Sequence, residues 1–165
     1  MATLTPQTIE FAETAPAQAE GSAVVVGTPA EVWAVLVDYP RWTEWFGGPV
    51  SKVRSTSDPV TGVGSTREVT LGRGKGLRFA ERFIAWEPDA LWAFTAYEAP
   101  GGLEGLVERC TIEPISDTRT RVTYRMAFAP KPVVKPLVPL LRSRISKALT
   151  KGMEGLAREV VARRG

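Results

Sequence analysis

Apolar and polar residues alternate with a period of two through the middle of the chain, and each alternating run stops at a cluster of turn-forming residues. In the run from Arg119 to Ala129, Val122, Tyr124, Met126 and Phe128 share one face, opposite Arg121, Thr123 and Arg125. Leu77, Phe79, Glu81 and Phe83 oppose Arg78, Ala80 and Arg82; Leu106, Glu108, Cys110 and Ile112 oppose Val107, Arg109, Thr111 and Glu113. The pattern predicts strands over 50–55, 65–71, 77–86, 91–98, 103–113 and 119–129. They are separated by turns at Asp58-Pro59, Gly62-Val63-Gly64, Gly72-Arg73-Gly74-Lys75-Gly76, Glu87-Pro88-Asp89, Pro100-Gly101-Gly102 and Pro114 to Thr118. Connections this short imply an antiparallel meander. An earlier β-branched run, Ser22 to Gly27, adds a strand. In 91–98 both faces are apolar, and Trp92 and Phe94 are taken as the inward pair.

Two segments carry a helical period instead. Thr28 is an N-cap with Pro29 at the first helical position and Glu31 where a capping-box acid belongs, and Val32, Val35 and Leu36 form one buried stripe. Asp38 and Pro40 open a second short helix bearing Tyr39, Trp42, Trp45 and Phe46, stopped by Gly47-Gly48-Pro49. At the other end, Val133 to Arg164 forms a long amphipathic helix. Its stripe is Val134, Val138, Leu141, Ile145, Leu149, Met153, Leu156 and Val160. The first twenty or so residues have little periodicity and read as an extension, with Thr8 to Phe11 as a further short strand. The chain thus divides into an extension over 1–19 and one domain over 20–165 of the α+β class.

Composition narrows the chemistry. With 165 residues the chain buries a substantial core without staples. The single cysteine, Cys110, rules out an intrachain disulfide, and the N-terminus has neither a basic nor an apolar leader segment, so a cytoplasmic location is expected. Histidine is absent, which removes Ser-His-Asp and Cys-His nucleophile systems and the usual zinc sites, and no carboxylate cluster suggests a metal. No cofactor is expected. The net charge of +3 is uneven. From Lys131 onward nine Lys and Arg face two acids, a net of +7, while the preceding residues hold twelve against sixteen, a net of −4. The basic C-terminal helix is either a solvated face or a surface for transient contact with an anionic membrane. Nucleic acid is not an expected partner, because the other side of that helix is committed to the sheet.

The order strand, helix, helix, six strands, long helix resembles the START-like helix-grip superfamily (SRPBCC), in particular its bacterial polyketide cyclase/dehydrase and lipid-transport group. The resemblance rests on Val24 to Trp45, the turn and strand Gly62 to Arg67, Glu81 to Pro88, Thr118 to Tyr124 and the terminal helix. It implies a curved seven-stranded antiparallel sheet wrapped around the C-terminal helix, two short helices after the first strand, and a cavity between sheet and helix for an apolar small molecule or lipid. On that reading Trp42, Trp45, Phe46, Phe79, Glu81, Phe83, Phe94, Glu108, Cys110, Tyr124, Met126, Phe128, Leu141, Ile145 and Leu149 are the expected ligand-binding residues.

Each has a plainer alternative. Trp42, Trp45 and Phe46 are either a lid or core packing, and Cys110 without a histidine is a small hydrophobe rather than a nucleophile. Glu81 and Glu108 fall on an apolar face, where desolvation would raise their pKa and suit them to proton transfer, with Tyr124 as a third candidate. Equally, each could pair with an arginine or reach the wet rim. Glu68, on a strand of weaker pattern, is a further inward acid to consider. Two functions remain in view: a carrier or sensor that holds an apolar ligand, and a cyclase/aromatase-like enzyme that uses pocket carboxylates.

Overall fold

The capping box predicted at Thr28 is present. The Thr28 hydroxyl accepts the Glu31 amide, and the Glu31 carboxylate accepts the Thr28 amide at 2.7 Å. In this computed structural model, residues 1–165 are described except Gly48, Pro49, Arg73 and Lys75. The expected stop at Gly47-Gly48-Pro49 and the glycine-rich turn from Gly72 to Gly76 therefore lie partly outside the described residues. In chain order the elements are β1 (Ala2–Thr3), α1 (Phe11–Thr14), β2 (Ala17–Val26), α2 (Pro29–Leu36), a 3-10 turn (Tyr39–Arg41) and α3 (Trp42–Trp45). They continue with β3 (Val50–Ser55), β4 (Thr66–Leu71), β5 (Leu77–Glu87), β6 (Leu91–Ala99), β7 (Leu103–Ser116) and β8 (Arg119–Pro130). A 3-10 segment (Pro132–Leu137) leads into α4 (Val138–Ala162).

The main sheet is antiparallel and seven strands wide, in the order β2-β8-β7-β6-β5-β4-β3. This is the curved sheet and terminal helix of the helix-grip fold, with α2 and α3 after the first long strand. The pairings Cys110↔Tyr124 and Glu108↔Met126 bring the inward residues of β7 and β8 side by side.

Three elements differ from their sequence signals. β2 begins at Ala17, ahead of the β-branched run, because it pairs with β8 along its whole length and lies directly under α4. At Gly21 a Cβ would stand 2.1 Å from the Thr150 amide nitrogen, so only glycine permits that approach. The N-terminal residues are built onto the sheet. β1 pairs with the end of β6, the Thr5 amide donates to Glu104 of β7, and Leu4 is buried beside Leu106 and Phe128. Thr8 to Phe11 is not a strand: its carbonyls accept the amides of Phe11 and Ala12, which closes the turn into α1. Third, Asp38 does not cap α3 through its side chain; its carboxylate pairs with Arg163 at 2.9 Å.

The terminal helix is buried unevenly. Leu149, Gly152, Met153, Gly155, Leu156 and Val160 are its buried residues. The predicted stripe continues upstream in sequence, but Val134, Val138, Leu141 and Ile145 are only partly covered. Pro132 and Pro136 lie in the preceding 3-10 segment, Pro139 lies in the first turn of α4, and a cavity lies beneath Ile145, Ala148 and Leu149.

Candidate functional site

Between the sheet and α4 lies a cavity of about 150 Å³. Trp42 and Phe46 close one side, and the Trp42 indole is anchored by donating to the Leu36 carbonyl at 2.8 Å. Val50, Val69, Leu71 and Phe79 come from β3, β4 and β5; Met126 comes from β8; Ile145, Ala148 and Leu149 form the roof. Its polar wall consists of Arg67, Glu81, Glu108 and Tyr124.

These four side chains form two buried pairs. Arg67 Nε donates to Glu81 Oε2 at 2.7 Å, with Arg67 only 1% exposed and Glu81 4%. The Arg67 guanidinium carbon sits 4.6–5.2 Å from the ring centroids of Tyr39, Trp42, Phe83, Trp92 and Phe94. Among the described residues neither Nη1 nor Nη2 has a hydrogen-bond acceptor. Ring faces stand around the cation, and a cation–π contact contributes from about 0.5 kcal/mol at an exposed site to about 2 kcal/mol when desolvated. Burial works against the Arg67 charge, the Glu81 carboxylate is the leading influence that favours it, and the guanidinium stays protonated. Burial raises the Glu81 carboxyl, with Arg67 pulling the other way. A neutral Glu81 would leave a buried cation with no counter-charge, so the pair stands as guanidinium and carboxylate.

In the second pair the Tyr124 hydroxyl donates a short hydrogen bond to Glu108 Oε2. Burial first, and the neighbouring Glu81 carboxylate second, push the Glu108 carboxyl up to about 8. Burial, then Glu108, hold the Tyr124 hydroxyl well above its ordinary value, so it remains a phenol. At neutral pH the site therefore holds one ion pair and a mostly protonated carboxyl that could give or take a proton. Among the described residues no group of three His, Cys, Asp or Glu side chains could hold a metal ion.

Of the expected ligand-binding residues, Trp42, Phe46, Phe79, Glu81, Glu108, Tyr124, Met126, Ile145 and Leu149 line this cavity. The rest stand elsewhere. Trp45 packs on Trp42 at 5.3 Å, and its carbonyl faces Gly155 of α4. Phe83 is enclosed by Tyr39, Trp86, Trp92 and Phe94, so it belongs to the core behind Arg67, as Phe94 does. Cys110 is fully buried in the same core, and burial pushes its thiol far up, which removes thiolate chemistry. Phe128 joins the Leu4 and Leu106 cluster, and Leu141 lies half-buried on the loosely covered part of α4. Glu68 faces away from the cavity, toward Arg54 and Arg78 at 3.4 Å each. Arg67 takes the inward place, and the sequence held the signal: Val69 and Leu71 share its phase on β4. Val50 and Ala148 line the cavity without any distinguishing pattern.

Residues 16–161 match the family described as polyketide cyclase/dehydrase and lipid transport. The chain belongs to that family. An uncharacterized protein of Mycobacterium tuberculosis is 31% identical over 156 residues, spanning 94% of this chain and 91% of the relative. Among solved structures, an aromatase/cyclase from a Streptomyces species superposes with a TM-score of 0.73 at 15% identity, covering 90% of this chain and 95% of that one. Norcoclaurine synthase from Thalictrum flavum, in complex with dopamine and hydroxybenzaldehyde, gives a TM-score of 0.67 at 17% identity, covering 98% and 96%. At such identities these structures share the fold alone, and the family membership supports a ligand-binding helix-grip protein.

Proposed function

We propose that the protein binds an apolar small molecule or lipid in the cavity beneath α4 and carries or senses it without transforming it. The observation that carries this reading is the pairing of the polar wall. Arg67 is ion-paired with Glu81 and Tyr124 donates to Glu108, while the two Arg67 Nη groups without an acceptor among the described residues stand against ring faces, so the lining is otherwise aliphatic and aromatic. A cavity of about 150 Å³ accommodates one small aromatic ring. A longer ligand requires the roof to move, and Val138 to Ala148 of α4 has no buried side chain to resist that motion.

The test is saturable binding of a solvatochromic probe and its displacement by fatty acids or small aromatics, compared between wild type and Ala148→Phe. The phenylalanine ring would fill the space under the roof. The expected outcome is at least about a tenfold loss of affinity with unchanged circular dichroism. Unaltered binding by the variant, or no saturable binding by wild type, would refute the reading.

One observation favours a second reading, a cyclase-like enzyme: the Glu108 carboxyl, at about 8, is poised to exchange a proton near neutral pH. Turnover separates the two: an enzyme converts its bound ligand and loses that conversion in Glu108→Gln while still binding, whereas a carrier returns the ligand unchanged in both forms.

A further inference from the structure

The first turns of α4 and the 3-10 segment before them expose apolar side chains. Val133 is 81% exposed, Leu137 55% and Leu140 53%, in three consecutive turns. Monomeric surfaces scatter such residues singly, and a run of them marks a contact site. Leu77 is also exposed, and the β5–β6 register places it at the same end of the sheet as Gly101 and Gly102. The segment is fixed there: the Lys131 amide donates to the Gly102 carbonyl at 2.9 Å, and Val134 packs on Gly102. The tip is therefore a built surface rather than a loose end.

Its charge is one-sided. Lys131, Lys135, Arg142, Arg144, Lys147 and Lys151 are all exposed, and no acid occurs between residues 131 and 153. None of these six forms an ion pair among the described residues, and aliphatic side chains set among such cations complement an interface with acyl chains below and phosphates above. The position adds a second argument, which rests on the cavity reading above. The tip runs directly into Ile145 and Ala148, the roof of an apolar cavity, on the half of α4 that lacks buried anchors. An apolar ligand in the cell resides chiefly in bilayers. No helix among the described residues is long and apolar enough to cross a membrane, so the contact is interfacial.

We propose that Pro132–Leu137 and the first turns of α4 form a docking tip for an anionic bilayer. Val133, Leu137 and Leu140 enter the acyl boundary, Lys131, Lys135 and Arg144 meet headgroup phosphates, and ligand passes between bilayer and cavity under Ile145 and Ala148. Each Lys or Arg near an anionic surface contributes about 1 kcal/mol, a factor of about five in binding.

The experiment is co-sedimentation with phosphatidylcholine vesicles, with and without phosphatidylglycerol, alongside transfer of a solvatochromic probe from those vesicles. Wild type should bind the anionic vesicles selectively and release on added salt. Lys131→Gln/Lys135→Gln/Arg144→Gln should lose about a hundredfold in affinity, and Val133→Ser/Leu137→Ser/Leu140→Ser at least about tenfold. Both variants change exposed side chains only and should bind probe normally without vesicles. Equal binding to both vesicle types would overturn the proposal, and so would a serine variant that docks like wild type. It would also fall if the serine changes dissolved a dimer in sedimentation while leaving vesicle binding intact, since the stripe would then face a second copy. A wild type that docks yet takes up no probe would refute the cavity reading and the transfer step, and would support the docking surface.

Discussion

Replacing Glu108 by glutamine should remove a pH dependence that the fold builds into its own stability. The Glu108 carboxyl rises from an ordinary 4.5 to about 8 on folding, because burial and the Glu81 carboxylate both disfavour its charge. The folded protein therefore holds this proton more tightly than the unfolded chain does. Below about pH 4.5 both states are protonated and the full contribution is present. As pH rises, the unfolded chain ionises freely while the folded protein does not. Stability then falls by about 1.4 kcal/mol per pH unit until Glu108 itself ionises near pH 8. Between about pH 5 and about pH 8 the loss is about 3–4 kcal/mol. Glutamine keeps an oxygen that can accept the Tyr124 hydroxyl and cannot ionise. Urea denaturation followed by tryptophan fluorescence across that range should show wild type losing stability relative to Glu108→Gln. The two should agree near pH 5, and the variant should lead by about 3 kcal/mol near pH 8. Parallel profiles for the two proteins would refute the assignment of a raised carboxyl to Glu108.

Arg67→Met should destabilise the protein by about 3–5 kcal/mol, because it strands the Glu81 carboxylate in the core. Arg67→Met/Glu81→Met should recover most of that loss in the same denaturation assay, and a double variant as unstable as the single one would contradict the ion-pair account. Gly155→Ala ought to stabilise α4 by about 1 kcal/mol on helix propensity alone. Here the added Cβ would stand 1.8 Å from the Trp45 carbonyl oxygen, so a lowered thermal midpoint is expected and a raised one would contradict the packing.

What the sequence revealed depended on how local the cause was. The Thr28 capping box is formed by residues three positions apart, and the inward faces of β5, β7 and β8 are alternations within single strands; both are legible before any tertiary structure. β2 was legible only in its β-branched half, since Ala17 to Gly21 becomes a strand through β8 and the overlying helix. Glu81 and Glu108 could be placed on the inner face, but not their partners, because both pairings cross between strands: Arg67 from β4 and Tyr124 from β8. An inward phase does not decide depth along a strand. Phe83 shares its face of β5 with the cavity-lining Phe79 and Glu81 and ends in the aromatic core around Arg67 instead, as does Phe94 of β6, a strand that contributes no cavity-lining residue. The tapering burial of α4 was illegible for a related reason: its apolar period runs unbroken past Ile145, and only the cavity and the preceding prolines explain why cover is lost there.

The claim that the space beneath α4 is a binding site is met most directly by nuclear magnetic resonance with p-xylene as ligand. The account predicts intermolecular contacts from the aromatic protons to the methyl groups of Met126, Ile145 and Leu149, with saturable shifts at those residues. Contacts confined to the exposed methyls of Val133, Leu137 and Leu140, or none at all, would contradict it.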